Sequence, residues 1–186
     1  MTKKVYVFLA NGSEETEAMG ILDTLRRGGV EAYFVSINPT TSITSSHGVE
    51  LQAHYTLSEI KEDLVDAIAL PGGMPGATNF YECEELQSII RRHIEADKYI
   101  AALCASPLVF GRMGLLEGKK ATVYPSFEGE LKGAHIVEKP AVVDGKIITG
   151  RGPAYVFNFG VAILGELLGY DEALKVANGL LITEDL

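Results

Sequence analysis

Residues 99–107 read YIAALCASP, the pattern of a buried strand followed at once by the start of a helix. The run 99–103 is short, apolar and partly β-branched, which is typical of a buried strand. A helix is predicted to open just after it, because Pro107 stands near a first turn, where a missing N–H costs no hydrogen bond. Cys104 is therefore predicted at the turn between a strand end and a helix start, an unusual position for an inert residue.

The alternation of strand and helix continues on both sides of this turn. Buried strands are predicted at residues 5–10, 31–37 and 67–70, helices at 14–28, 85–98, 153–168 and 172–181, and hairpins around 46–48 and 143–146. Ser13 is predicted to cap the first helix. Repeated units of this length imply a mostly parallel sheet with helices on both faces. We predict one α/β domain over residues 1–186.

Three loops follow strands of this predicted sheet, at residues 11–17, 71–76 and 104–107. Ligands of open parallel sheets bind at the carboxyl ends of the strands. The three loops are therefore expected to form one site.

Composition excludes several classes of function. The chain has 186 residues, 47% of them hydrophobic, and a net charge of −9, which disfavours general binding to nucleic acid or to an anionic membrane. The N-terminus resembles a first strand more than a signal peptide, and no apolar run is long enough to span a bilayer. The two cysteines make neither a disulfide framework nor a metal-ligand spacing. We expect a cytoplasmic protein without a metal site.

Two cysteines are candidates for a reactive thiol. A helix N-terminus presents N–H groups and the positive end of a dipole, so Cys104 is predicted to form a thiolate readily. The alternative is that Cys104 is a small buried apolar residue. Cys83 lies among Glu82, Glu84 and Glu85, whose charges disfavour a thiolate, so we expect it to be inert.

Two further features could serve chemistry at Cys104. The turn Pro71-Gly72-Gly73 leaves backbone N–H groups free to bind an oxyanion or a carboxylate, although it could also be an ordinary tight turn. It is neither a phosphate loop nor a dinucleotide fingerprint. Acids open the first helix, and one buried beside the thiol would have a raised pKa and could carry a proton. The residues alone do not choose among Glu14, Glu15 and Glu17.

Four motifs together resemble one known family. GSEETEA (12–18), PGGMPGATN (71–79), AALCASP (101–107) and ITGRGPAYVF (148–157) stand in the order and spacing of the DJ-1/PfpI (ThiJ) superfamily, and the match covers nearly the whole chain. The most similar branch contains the Parkinsonism-associated protein and bacterial ThiJ-like proteins. The resemblance implies a flavodoxin-like three-layer sandwich, a homodimer and no cofactor.

The resemblance also implies roles for individual residues. Cys104 matches the cysteine of the nucleophile elbow, and Glu17 matches a protonated glutamate that hydrogen-bonds to its sulfur. The backbone N–H groups of Gly73 and Ala105 match those that face the sulfur. The surrounding pocket is expected to include Gly72, Arg27, His47, Tyr124 and Arg151, with Arg27 near the dimer-side edge.

Two departures from the family pattern bear on mechanism. Protease-like members have a histidine directly after the cysteine, where this chain has Ala105, so peptide hydrolysis is not expected. Relatives of the human type have another histidine near the cysteine, where this chain has Tyr124, a poor base near neutral pH. Glu17 is thus the expected proton carrier, and His54, His93 and His135 are expected at the surface or an interface.

Three functions compete at this stage. The first is a cofactor-independent glyoxalase or deglycase acting on small dicarbonyls through Cys104. The second is a non-enzymatic redox-sensing stress protein or chaperone whose cysteine oxidises to a sulfinate. A glutamine amidotransferase-type domain ranks last, because no downstream His-Glu pair is visible.

Overall fold

A computed structural model describes residues 2–60 and 62–182. Its strands are β1 (Lys4–Leu9), β2 (Glu31–Ser36), β3 (Ser42–Thr44), β4 (Glu50–Gln52), β5 (Tyr55–Thr56), β6 (Ala67–Leu70), β7 (Tyr99–Leu103), β8 (Lys120–Ala121), β9 (His135–Ile136), β10 (Ala141–Asp144) and β11 (Ile147–Gly150). In this part of the chain, seven strands form one sheet in the order β10-β11-β7-β6-β1-β2-β5. All neighbours in it are parallel except the β10–β11 hairpin, so the predicted mostly parallel sheet is confirmed.

Helices cover both faces of this sheet. They are α1 (Glu15–Arg27), α2 (Leu57–Ile60), α3 (Gly76–Glu82), α4 (Glu84–Glu95), α5 (Pro107–Arg112), α6 (Val156–Leu168) and α7 (Tyr170–Gly179), with 3₁₀ turns at Glu128–Glu130 and Pro153–Tyr155. One apolar cluster joins one face of the sheet to α1, α6 and α7, and a second joins the other face to α2, α3, α4 and α5. The arrangement is the expected three-layer sandwich.

Strand β1 shows how the sequence produces these layers. Val5, Val7 and Leu9 point into one apolar cluster, and Tyr6 and Phe8 point into the other. Alternate residues of a strand face opposite sides of a sheet, so a strand covered on both sides must be apolar throughout.

Helix α1 begins at a different cap from the predicted one. Glu14 is the N-cap, and its Oε2 accepts a hydrogen bond of 2.6 Å from the Glu17 N–H. The Ser13 hydroxyl instead accepts the Ala10 N–H at 3.0 Å. Ser13 thus stabilises the turn after β1, and the cap moves one residue onward, which puts Glu17 in the first turn of the helix.

Two other local expectations are corrected. Helix α3 was not predicted, because residues 76–82 are few and begin with glycine after a Pro-Gly turn. His93 was expected at the surface or an interface, but it is fully buried. Its Nδ1 lies 2.8 Å from the Ile89 carbonyl oxygen and its Nε2 accepts the Val65 N–H at 3.3 Å, so both ring nitrogens are used inside the protein.

None of the helices in the described residues is both long and apolar enough to cross a bilayer. The predicted hairpins are present as β3–β4 and β10–β11.

Candidate active site

Cys104 occupies the sharp turn between β7 and α5. Its backbone φ is +63°, a left-handed conformation that non-glycine residues rarely adopt and that concentrates at functional sites. The Cys104 N–H donates to the Gly150 carbonyl at 2.9 Å, and its own carbonyl accepts the Tyr124 N–H at 2.9 Å. These bonds hold the strained turn from both sides. The residue is half-buried, at the carboxyl edge of the sheet, as its position between strand and helix predicts.

Glu17 is the acid that the fold places beside Cys104. It lies in the first turn of α1 and its side chain is fully buried. Its Oε2 accepts the Gly72 N–H at 2.6 Å, and the carboxyl also interacts with the Cys104 thiol. Its other oxygen, Oε1, is buried without a conventional hydrogen-bond partner among the described residues. A buried carboxyl with a spare oxygen at a thiol is the arrangement expected of a proton carrier.

The two glycines of the second loop are required by close approach. A Cβ on Gly72 would lie 2.6 Å from the Cys104 Cβ and 2.7 Å from Glu17 Oε2. Gly73 has a φ of +93°, and a Cβ there would lie 2.4 Å from the Glu14 nitrogen. Only glycine lets this loop pack so closely against Cys104, Glu17 and the first turn of α1.

Burial and mutual repulsion set the protonation of the Glu17–Cys104 pair. Burial raises the pKa of Glu17 from 4.5 to about 7, against hydrogen bonds from the Cys104 thiol and the Gly72 N–H. The pKa of the Cys104 thiol is raised as well, mainly by burial and to a smaller extent by the negative charge of Glu17. The pair therefore resists carrying two negative charges and retains a proton at neutral pH.

The thiol pKa corrects one expectation. A short helix N-terminus was expected to favour the Cys104 thiolate, yet burial and the Glu17 carboxylate outweigh it. The backbone N–H groups of Ala105 and Gly73 hydrogen-bond to the sulfur and oppose the rise in its pKa. A thiolate therefore becomes favourable when the proton resides on Glu17, because the negative charge of the carboxylate is then removed.

His47 lies at the start of α1, on the turn between β3 and β4. Its Nδ1 is 2.9 Å from Glu15 Oε1 and 4.0 Å from Glu14 Oε1, and its side chain is 69% exposed. The Ser46 N–H donates to the Ser13 carbonyl, which fixes the hairpin against the first loop. His47 is thus an exposed residue beside the first turn of α1, and its place in the pocket stays a prediction. The ligand atoms of the His47, Glu14 and Glu15 side chains approach within 4.8 Å of one another, but hydrogen bonding alone accounts for that grouping.

The other predicted pocket residues separate into two groups. Tyr124 is 44% exposed and packs on Gly152, next to Arg151, whose guanidinium pairs with Glu138 at 3.3 Å. Tyr124 adjoins the elbow because its N–H binds the Cys104 carbonyl, and Arg151 adjoins it because the preceding residue, Gly150, accepts the Cys104 N–H.

Arg27 is not brought to the elbow within one chain. It lies ten residues after Glu17 on α1, about 15 Å along the axis, and its Nε pairs with Asp23 Oδ2 at 2.6 Å. Because α1 runs antiparallel to β1, Arg27 lies at the end of the helix far from the Cys104 turn. Within a single chain, the prediction that Arg27 belongs to the pocket is therefore wrong.

One buried polar residue of the elbow was missed by sequence reasoning. Ser106 is fully buried and donates its hydroxyl to the Pro71 carbonyl at 2.5 Å. The only signal in the sequence is a serine two residues after the cysteine. A separate cavity of about 450 Å³ lies between β10, α6 and α7, and none of the predicted site residues lines it.

Comparison with known proteins agrees with this geometry. The family model described as "DJ-1/PfpI family" matches residues 3–166. The chain is 39% identical over 183 residues to Protein DJ-1 homolog B of Arabidopsis thaliana, covering 97% of this chain and 42% of that protein, so it spans less than half of that relative. It is 33% identical over 184 residues to Protein dj-1beta of Drosophila melanogaster, covering 98% of each.

A solved structure described as "Toxoplasma gondii DJ-1, oxidized" superposes with a TM-score of 0.94 at 37% identity, covering 98% of this chain and 100% of that one. This neighbour confirms the flavodoxin-like fold, and the family match confirms the resemblance of the four motifs. The chain belongs to the DJ-1/PfpI family.

Proposed function

We propose that this protein is a cofactor-independent enzyme of the glyoxalase or deglycase type. Its substrates would be small 2-oxoaldehydes or their early adducts, and Cys104 would be the nucleophile. The observation that carries the proposal is the buried Glu17 carboxyl, which is held by the Gly72 N–H and interacts with the Cys104 thiol. Such a pair supplies a nucleophile and a proton carrier without a metal or an organic cofactor.

The first step would be addition of the thiol to the aldehyde. The sulfur forms a bond to the aldehyde carbon, the C=O π bond breaks, and its oxygen takes the proton of the pair. The product is a hemithioacetal. The N–H groups of Gly73 and Ala105, which bind the sulfur, would hold the oxygen while it is negatively charged.

The second step would move a proton between adjacent carbons. Glu17 as carboxylate removes the proton from the carbon bearing sulfur and returns it to the neighbouring carbon through an enediol. The first carbon is thereby oxidised to a thioester and the second reduced to an alcohol. Water then cleaves the thioester, releasing a 2-hydroxy acid and restoring the thiol. A pKa of about 7 suits Glu17 to both giving and taking this proton.

The second candidate function uses the same groups without turnover. Peroxide would oxidise the Cys104 sulfur to a sulfinate, which the backbone N–H groups and Glu17 would bind. The observation in its favour is that the Toxoplasma relative is described as oxidized.

We propose further that the protein acts as a homodimer in the cytoplasm. Support for the dimer comes from two exposed apolar side chains on neighbouring helices, Met19 of α1 (49% exposed) and Phe157 of α6 (38%). Large apolar side chains that cluster at the surface mark interaction sites.

Methylglyoxal is the substrate that tests the proposal. The wild type, Cys104→Ser and Cys83→Ser should be compared by methylglyoxal loss and by lactate formed. We expect lactate in a one-to-one ratio from the wild type and Cys83→Ser, and none from Cys104→Ser. If the wild type forms no lactate and yet oxidises readily at Cys104, the enzymatic proposal is wrong and the redox-sensing function takes its place.

A further inference from the structure

Ser106 makes a hydrogen bond that its position in the helix does not explain. It stands at the N-cap of α5, where a serine side chain ordinarily accepts a backbone N–H of the first turn. Its side chain makes no such bond here. The hydroxyl instead donates to the Pro71 carbonyl at 2.5 Å, across to the loop after β6. A fully buried hydroxyl has thus been turned from its own helix to a neighbouring loop.

The bond to Pro71 reaches the carboxyl of Glu17 through a single peptide group. The Pro71 carbonyl and the Gly72 N–H belong to the same planar unit, and the Gly72 N–H donates to Glu17 Oε2 at 2.6 Å. Holding the oxygen of a rigid plane fixes the direction in which its N–H points. The hydrogen bonds therefore run from Ser106 through this peptide to Glu17, which interacts with Cys104 two residues before Ser106.

These linked hydrogen bonds also affect how strongly the ionised form of Glu17 is stabilised. A donor at a peptide oxygen polarises the peptide and makes its N–H a stronger donor. A stronger Gly72 N–H favours the ionised form of Glu17, against the burial that favours its neutral form. We propose that Ser106 is a positioning residue: its hydroxyl holds the Pro71–Gly72 peptide so that the Gly72 N–H meets the Glu17 carboxyl beside the Cys104 sulfur.

The consequence is a defined proton affinity for Glu17. The role in catalysis rests on the proposed dicarbonyl activity, but the effect on Glu17 does not. The test is therefore the titration of the Glu17 carboxyl carbon, followed by NMR in protein labelled with ¹³C at glutamate carboxyl groups. Turnover of methylglyoxal is measured separately.

Ser106→Ala should move the midpoint of the Glu17 titration upward by about 0.5–1 pH unit, a three- to tenfold rise in proton affinity that corresponds to one lost hydrogen bond. Ser106→Thr keeps the hydroxyl and should restore the wild-type midpoint. If the protein is active, kcat should fall in Ser106→Ala by a similar factor while KM stays unchanged, because Ser106 does not face the substrate.

Thr24→Val is the matched control. Thr24 lies on α1 and is fully buried, and its hydroxyl also donates to a backbone carbonyl, that of Gly20, at 2.7 Å. Its removal should lower stability without moving the Glu17 midpoint. Ser106→Cys, which nearly keeps the volume and has only a weak donor, should give an upward shift even if Ser106→Ala does not fold. An unchanged midpoint in both Ser106→Ala and Ser106→Cys, or an equal shift in Thr24→Val, would overturn the proposal.

Discussion

Gly72→Ala presses one methyl group against both the reactive cysteine and its proton carrier. The added Cβ would lie 2.6 Å from the Cys104 Cβ and 2.7 Å from Glu17 Oε2, where an ordinary contact needs 3.4 Å or more. The two side chains must therefore separate by roughly 1 Å, and a misplacement of that size costs about 100-fold in rate. Overpacking at such a position costs about 1–3 kcal/mol of stability.

The assay compares kcat/KM for methylglyoxal, the alkylation rate of Cys104 and thermal unfolding. Gly129→Ala is the control, because a Cβ there meets nothing within 4 Å and its backbone is not in the left-handed region. We expect a folded Gly72→Ala protein with turnover reduced about 100-fold, and a Gly129→Ala protein like the wild type. A folded Gly72→Ala variant with wild-type turnover would show that the contact between the carboxyl and the sulfur is not needed.

Three further predictions concern thiol reactivity, acid stability and assembly. At pH 6, below the pKa of about 7 at which Glu17 ionises, the neutral carboxyl can donate a hydrogen bond to the Cys104 sulfur as it becomes a thiolate, beside the N–H groups of Gly73 and Ala105. Burial raises the pKa of Cys83, and no neutral carboxyl among the described residues is placed against its sulfur, so iodoacetamide should label Cys104 in preference to Cys83; peptide mapping that finds mainly Cys83 would contradict this. Burial lowers the pKa of His93, so acidification below about pH 6.5 should reduce the free energy of unfolding. Glu17 acts in the opposite direction: its raised pKa makes its contribution to the free energy of unfolding increase as the pH falls from about 7 to 4.5. The free energy of unfolding, measured with urea, should therefore fall more steeply with decreasing pH in Glu17→Gln than in the wild type. Equal pH dependence in the two proteins would contradict the raised pKa of Glu17. Sedimentation at micromolar concentration should give about twice the chain mass of 20.0 kDa and shift toward the monomer in Met19→Glu, and a monomeric wild type would exclude the dimer.

The sequence was most informative where local pattern and chain order determine geometry. A short apolar run followed by a proline locates the Cys104 turn, and parallel strands bring loops at their carboxyl ends to one edge. Gly72 and Gly73 could be singled out because they follow a strand. The fold and the main elements of the site were predictable to that extent.

The choice among three neighbouring acids needed the structure. Glu14 is the cap outside the helix, and its carboxylate turns back to the Glu17 N–H. Glu15 meets His47 and Glu17 is buried at Cys104, because residues two positions apart on a helix point in nearly opposite directions. The exact helix start decides which acid turns inward. That start depends on Ser13, whose hydroxyl is used by the preceding turn.

The remaining errors have a common cause in contacts between distant segments. His93 is buried because Val65, 28 residues away, supplies a donor to its ring. The direction of the Cys104 pKa depends on Glu17, which lies on another element. Ser106 escaped notice because its partner, Pro71, is 35 residues away. None of these pairings leaves a periodic signal in the sequence.

Glu17→Gln tests most directly whether the Glu17–Cys104 pair performs proton transfer. The amide can still accept the Gly72 N–H and donate a hydrogen bond to the sulfur, but it has no proton to transfer. The measurement is the rate of lactate formation from methylglyoxal, set beside the alkylation rate of Cys104 in the same protein. We expect alkylation to survive largely intact and lactate formation to fall by about 10²–10⁴, the range for loss of a general acid–base group. Full turnover in Glu17→Gln would contradict the proton-carrier role of Glu17.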